Sequence, residues 1–383
     1  MLTRRAFLSL ALLSWSVTGL GFEVLHDYSG STFFNGWDYY GLWDNLTLGN
    51  VTYLSAEAAT QQRLTYVNDA GNAIIRVDNF TTVSEGDRRN SIRITSSEFY
   101  EYGSLWIIDA LHLPYGCSVW PAFWSKGSHW PNDGEIDIIE AINLMPNNQM
   151  ALHTTEGCVH NTTAPQTGFN IDNDCGTASG CTVGMSSPNS YESGFAAAGG
   201  GVYATQFDVS GIYMWFWSRP NVPDSITSAT ANSSMNISSW GPPTASYPTN
   251  AYCNITNFFS AQQLIFDITL CGDWAGVPGT YDGTGCANAG PNNNCYLDNV
   301  VGNGSNYDEA YFEVAYVRTY TTGVVLPAST ATSTSVASSS SGSQTSTPSR
   351  SQKSDAWREH GSLEAFLAAS AVAMLAGCLF TLA

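Results

Sequence analysis

Three carboxylates, Glu135, Asp137 and Glu140, stand among three isoleucines in the stretch Asp133-Gly-Glu-Ile-Asp-Ile-Ile-Glu140. Isoleucine is β-branched and favours strands, and the preceding Trp130-Pro-Asn-Asp-Gly134 supplies turn signals. The spacing predicts a strand entered from a turn. Residues two apart on a strand share a face, so Glu135 and Asp137 point one way and Ile136 and Ile138 the other. Glu140 is out of phase by one residue, and a single β-bulge between Asp137 and Glu140 restores it to the same face. Bulges are frequent beside active sites, where they re-aim a side chain. Like charges held this close repel and push some pKa values up. A fold gains no stability from such a row. Glycoside hydrolysis is the chemistry that needs two carboxylates with separated pKa values, one as nucleophile or base and one as proton donor. The bland alternatives are a solvated acidic edge strand or a cation site.

The surrounding segments sharpen this choice. Cys117-Ser-Val-Trp-Pro-Ala-Phe-Trp124 precedes the acidic strand, Trp130 stands at its mouth, Leu152-His-Thr154 follows it, and Cys271-Gly-Asp-Trp-Ala-Gly276 comes much later. From about Tyr28 to Tyr320 the chain resembles glycoside hydrolase family 16, in particular the fungal endo-β-1,3(4)-glucanases (laminarinases). Glu-x-Asp-x-x-Glu is the bulged variant of that family's motif. The resemblance implies an all-β fold, a β-jelly-roll sandwich of two antiparallel sheets with a concave substrate cleft. It makes Glu135 the nucleophile, Glu140 the acid/base and Asp137 their hydrogen-bonding assistant, and it places His153 on the cleft wall. It implies a β-glucan polysaccharide as substrate, a monomer, and no cofactor or metal.

Trp124, Trp130 and Trp274 are candidate sugar platforms, because an indole face stacks on the apolar side of a pyranose while its N–H reaches a hydroxyl. Any tryptophan is more often core. A turn position for Trp130 and a Gly-rich loop for Trp274 favour the platform. Trp-Pro-Ala-Phe-Trp leaves Trp120 and Trp124 evenly balanced between platform and core strand. A metal pair of His153 with His160 lacks a third ligand at usual spacing. Neither a Gly-x-Ser-x-Gly elbow nor a phosphate-binding Gly-x-x-x-x-Gly-Lys loop occurs.

These residues need a scaffold, and the composition supplies one. The chain has 383 residues, 43% of them hydrophobic, enough for a full core in one large β-domain. A net charge of −19 with only 13 Lys and Arg argues against nucleic acid and anionic membrane surfaces as partners. Runs such as Ala73–Val77, Ser91–Thr95, Leu105–Ile108, Ile212–Trp217, Leu264–Leu270 and Tyr311–Val317 are short, β-branched or aromatic, and separated by Gly, Asn, Asp and Pro clusters. Residues 22–322 therefore form the expected catalytic domain. Gln166–Tyr203 and Pro220–Asn250 lack strand pattern and are expected to be long surface loops.

The ends are expected to differ from the domain. Residues 1–21 have two arginines and then an apolar run, the pattern of a secretory signal. Export suits the cysteines. With Cys378 set aside in the tail, Cys117, Cys158, Cys175, Cys181, Cys253, Cys271, Cys286 and Cys295 form an even set, expected to be disulfide-bonded with open connectivity. Sequons at Asn45, Asn50, Asn79, Asn161, Asn232, Asn236, Asn254 and Asn303 fit the same compartment. Residues 323–354 are Ser/Thr-rich and form an expected stalk. Residues 355–383 run from a small triplet through a polar spacer to an apolar terminus, the pattern of a removable GPI-anchor signal. A transmembrane helix competes, and the apolar run is barely long enough for one. Membrane contact is thus expected only through the anchor, at the cell surface or wall.

Three functions fit this reading: an endo-hydrolase of β-1,3- or mixed β-1,3/1,4-glucan, a cell-wall transglycosylase on β-glucan, and a non-catalytic glucan-binding protein. The bulged motif leans toward the hydrolase and the anchor pattern toward the transglycosylase. Relatives that only bind usually lose the glutamates, and both are kept here.

Overall fold

Period-two alternation sorts side chains to two faces, and in this chain most strands bury both. The computed structural model describes residues 21–161 and 163–323. Apart from Gly21 and Gly323, the expected signal segment, stalk and anchor signal, with Cys378, lie outside the described residues. Two eight-stranded sheets are stacked face to face, and every pairing within them is antiparallel. This is the sandwich of two antiparallel sheets expected from the sequence. One sheet runs Ala245–Pro248, Gly211–Ser218, Gly201–Asp208, Ser104–His112, Tyr311–Thr321, Ala73–Arg76, Thr65–Val67, with Glu23–Ser29 also paired to Tyr311–Thr321. The other runs Phe169–Asn170, Cys181–Gly184, Gln149–His153, Glu135–Glu140, Val119–Lys126, Gln263–Leu270, Arg93–Ser96, Trp37–Tyr39. The acidic stretch therefore lies in mid-sheet, with three strands on one side of it and four on the other.

Between the sheets, Phe123, Ile136, Leu152 and Phe266 from the acidic sheet meet Trp106, Ile108, Tyr203, Met214 and Phe312 from its partner. Phe266 and Phe312 touch edge to face across the layer, 5.2 Å apart. The outer face of the partner sheet is also apolar: Leu105, Ile107, Val202, Ala204 and Trp215 are buried there beneath Phe22, Val222, Ile226, Met235 and Trp240. Four disulfides join Cys117–Cys286, Cys158–Cys253, Cys175–Cys181 and Cys271–Cys295. All eight cysteines of the domain are thus paired.

The two segments expected to be loops carry more structure than that. Gln166–Tyr203 contains the strands Phe169–Asn170 and Cys181–Gly184, the helix Glu192–Ala197, and the start of Gly201–Asp208. Pro220–Asn250 contains the helix Asp224–Thr227 and the strand Ala245–Pro248. It also contributes the buried Ile226, Met235 and Trp240. Strands of two to four residues are too short to show alternation. Isolated apolar anchors on irregular backbone show no period at all.

Candidate active site

The acidic strand pairs with its neighbours out of simple phase. Against Gln149–His153 the partners are Glu135↔His153, Asp137↔Ala151 and Glu140↔Gln149, so three residues on one side match two on the other. Against Val119–Lys126 the register slips between Asp137↔Trp124 and Ile139↔Phe123. This is the bulge the spacing called for. Ile138 and Ile139, consecutive residues, both enter the core, and Glu140 returns to the face of Glu135 and Asp137. Asn148 staples the bulge: its Oδ1 accepts from the Glu140 N–H at 2.8 Å and its Nδ2 donates to the Ile138 carbonyl at 2.9 Å.

Each glutamate meets an indole. The Trp130 N–H donates to Glu135, and the Trp120 N–H donates to Glu140 Oε1 at 3.0 Å. His153, opposite Glu135, brings Nε2 to 3.3 Å from Asp137 Oδ2. Burial raises the pKa of Glu135 well above the usual carboxylate range, with Asp137 and Glu140 adding repulsion, while His153 and Trp130 pull it back. Asp137 is also raised well above its ordinary value, by burial and then by Glu140. Glu140 is raised by burial and drawn back by His153, Trp120 and Gln149. Each of the three acids thus holds its proton more tightly than a free carboxylate does. One atom each of Glu135, Asp137 and His153 lie within 4.8 Å of one another, a donor set that could accept one cation.

The remaining predicted residues fall around this centre. Trp130 is 55% exposed beside Glu135, placed to meet a ligand. Trp124 stands cross-strand from Asp137 but is only 6% exposed, and its indole donates to Asp267 Oδ1 at 2.9 Å. Trp274 packs edge-on against Trp120, 5.3 Å between rings, and so stands one ring away from Glu140. His160 is turned to other work, bonded to Asn170 and packed on Tyr247.

Three residues of this face were not singled out from the sequence, and a fourth, Trp120, was balanced there between platform and core. Trp120 touches Glu140 directly. Asn148 holds the bulge. Asp267 lies in register with Ala122 and Arg93, in the cross-strand row of Glu140 and two strands from it, and is pushed up to about 6, chiefly by burial. Arg93 lies over the rings of Tyr40 and Trp124, 5.0 and 5.6 Å from their centroids. Asp267 and Arg93 had a signal: each is the lone charge in an alternating apolar run, Leu264–Leu270 and Ser91–Thr95. Asn148 had none, because its role depends on a turn that brings it back to a bulge.

Comparison with known proteins agrees with this geometry. Residues 37–320 match the family profile described as "XgeA-like, catalytic GH16 domain". A probable glycosidase of Schizosaccharomyces pombe is 38% identical over 307 residues, covering 78% of this chain and 69% of that protein. The endo-1,3(4)-β-glucanase xgeA of Emericella nidulans is 37% identical over 286 residues, 72% of this chain and 44% of its own length. The chain spans about half the length of most of the curated relatives it matches. Laminarinase 16A of Phanerochaete chrysosporium has a similar structure, with a TM-score of 0.72 and 36% identity, covering 78% of this chain and 99% of that one. An elongating family 16 β-1,3-glucosyltransferase gives 0.71 and 36%, covering 78% of this chain and 100% of its own. The jelly-roll sandwich, the bulged acidic strand and these matches agree, and the chain belongs to glycoside hydrolase family 16.

Proposed function

We propose that the chain is a retaining endo-hydrolase of β-1,3- or mixed β-1,3/1,4-glucan. The observation that carries this is the bulge, which aligns three acids on one open sheet face with an indole on each outer glutamate. Glu135 attacks the anomeric carbon as a carboxylate, and Glu140 protonates the leaving glycosidic oxygen as the C–O bond breaks. A covalent glycosyl-enzyme results. Glu140, now a carboxylate, takes a proton from water, and that oxygen displaces Glu135 with net retention. His153 and the Trp130 indole offset part of the rise that burial gives Glu135, as His153 and the Trp120 indole do for Glu140. Asp137 sits between the two glutamates and holds or shares the proton that keeps their charges apart. Trp130 and Trp274 offer sugar-stacking faces, while Trp124 and His153 line the floor beside the reacting bond.

A second reading, transfer of the glycosyl group to another sugar, is favoured by the likeness to the elongating glucosyltransferase. Incubation with laminarin and a labelled acceptor oligosaccharide separates the two. Shortened, unlabelled products support hydrolysis, labelled elongated products support transfer, and unchanged laminarin rejects both. We further infer an extracellular or wall location, in line with the fungal glucanase relatives and the four disulfides. Anchoring through a GPI group rests on the composition of residues 355–383. Release by phosphatidylinositol-specific phospholipase C, with loss of Trp357–Ala383, is its test, and intact C-terminal peptides from the mature protein reject it.

A further inference from the structure

Opposite residues of an antiparallel pair share a face, so the face of Glu140 can be followed outward strand by strand. Glu140 lies opposite Gln149, Gln149 opposite Gly184, and Gly184 opposite Phe169 on the last strand of the sheet. Phe169 therefore stands on the same face as the three acids. At about 4.8 Å per strand, three steps place it ~14 Å from Glu140. Ile171 joins it: its N–H donates to the Thr182 carbonyl at 2.8 Å, and its side chain reaches the same spot over Gly184.

This spot is built rather than incidental. A Cβ on Gly184 would lie 2.6 Å from the Phe169 ring and 2.9 Å from the end of Ile171, so both side chains rest directly against the glycine. The neighbouring Asn170 is held by His160 and Gln166, each at 3.0 Å, and the Gly168 N–H donates to the Thr244 carbonyl at 2.9 Å. Cys175–Cys181 closes the segment that returns to the adjoining strand. Yet Phe169 and Ile171 remain 53% and 55% exposed. Two apolar side chains thus stand open on a pinned backbone at the rim of a polar face. Between them and Glu140 stands Gln149, a hydrogen-bonding side chain whose proximity lowers the pKa of Glu140.

We propose that Phe169 and Ile171 form a distal sugar platform, on which a glucose ring several units from the cleaved bond stacks its apolar face. Gln149 would bond hydroxyls on the way, and the platform would make the chain select long glucans over short ones. A β-glucan chain is the occupant because the patch continues the catalytic face without a break in register. The inference rests on the glucan reading of that face.

The test is binding rather than turnover. In a Glu135→Gln background, dissociation constants are measured by calorimetry for a disaccharide and a heptasaccharide of β-1,3-linked glucose, with and without Phe169→Ala. Loss of the platform should weaken the heptasaccharide about five- to tenfold, the scale of one aromatic contact, and narrow the gap between the two ligands. Phe169→Trp should restore the gap, whereas Tyr252→Ala, 75% exposed elsewhere, should leave both constants as they were. An unchanged heptasaccharide constant in a folded Phe169→Ala protein overturns the platform and leaves the glucan reading standing. Equal weakening of both ligands overturns it too, since a general distortion of the cleft then suffices. Failure of the heptasaccharide to bind the Phe169 parent overturns the glucan reading itself, and the platform falls with it.

Discussion

The outer faces of the two sheets are treated in opposite ways. On the partner sheet, Leu105, Ile107, Val202 and Trp215 are covered by a layer anchored on Phe22, Met235 and Trp240. Charges at its margin are matched: Arg219 grips Asp109 with two bonds of 2.8 and 2.6 Å, and Arg318 meets Asp27 at 2.6 Å. On the acidic sheet, carboxylates face carboxylates: burial raises Glu135, Asp137 and Glu140, Asp137 and Glu140 raise Glu135 further, and Glu140 raises Asp137. One face is arranged for stability, and the other holds unrelieved repulsion where chemistry needs it. Substitutions should therefore separate cleanly: front-face changes should alter rate, and back-face changes should alter melting.

The largest effect is expected at the glutamates. Glu135→Ala should abolish the glycosyl-enzyme, and added azide should rescue turnover with an inverted product. Glu140→Ala should lose the 10²- to 10⁴-fold typical of acid/base catalysis. With an activated leaving group it should still accumulate the intermediate, and azide should then give a retained glycosyl azide. Asp137→Asn should lose less than either. Swapped stereochemistry between the two glutamate variants would show the roles reversed, and near-native hydrolysis by both would remove the site.

Trp240→Ala tests the other face. Its ring meets Trp215 and Trp217 edge-on at 5.4 and 5.0 Å, and its indole donates to Ser225. Removing it should lower stability by about 3–5 kcal/mol and leave kcat/KM on laminarin unchanged below the melting range. A changed kcat/KM in the folded variant breaks the division of labour between faces.

Asn148→Ala joins rate to stability at one point. Loss of the staple leaves the Glu140 N–H and the Ile138 carbonyl without their partner, a penalty of about 1–3 kcal/mol. It also frees Glu140 to shift, so kcat should fall on the order of 10²-fold with little change in KM. Normal kcat in the folded variant would show that the bulge holds without Asn148.

The smallest effect concerns pH. Asp267 is pushed up to about 6, chiefly by burial and despite the Arg93 charge. The folded state thus binds this proton more tightly than the unfolded chain. The resulting stability is full below the ordinary carboxylate value near 3.8 and is lost as pH rises through about 6. Melting temperature should decline across that window, and Asp267→Asn should make the decline shallower. A steeper or unchanged slope in Asp267→Asn places the titration in other groups.

How much of this was visible in the sequence depended on period and on distance. β-Branched and aromatic runs bounded by turn residues marked the long core strands, and the misphased Glu140 marked the bulge, because a period of two leaves one residue conspicuously out of step. Phe169–Asn170 was hidden, since two residues carry no period, and so was its place on the catalytic face, which only pairing through Gly184 reveals. Trp120 and Trp124 are two turns of the same alternation with different outcomes. One indole reaches a glutamate on the next strand, the other reaches Asp267 from a strand more than a hundred residues away in the chain. Disulfide pairing was likewise a matter of tertiary proximity. Spacings run from 6 residues for Cys175–Cys181 to 169 for Cys117–Cys286, and no local rule selects among them.

The extra isoleucine of the bulge has a consequence for how such a strand can vary in length. The open face counts acids, and the buried face counts volume. Deleting Ile138 would leave three acids in phase on a regular strand, so the chemistry could survive the loss of a residue. Beneath it, the core would lose a whole side chain, and Asn148 would face a backbone without the gap it spans. Length variation at this strand is therefore silent toward the ligand and felt by the interior, the reverse of what is usual for surface loops.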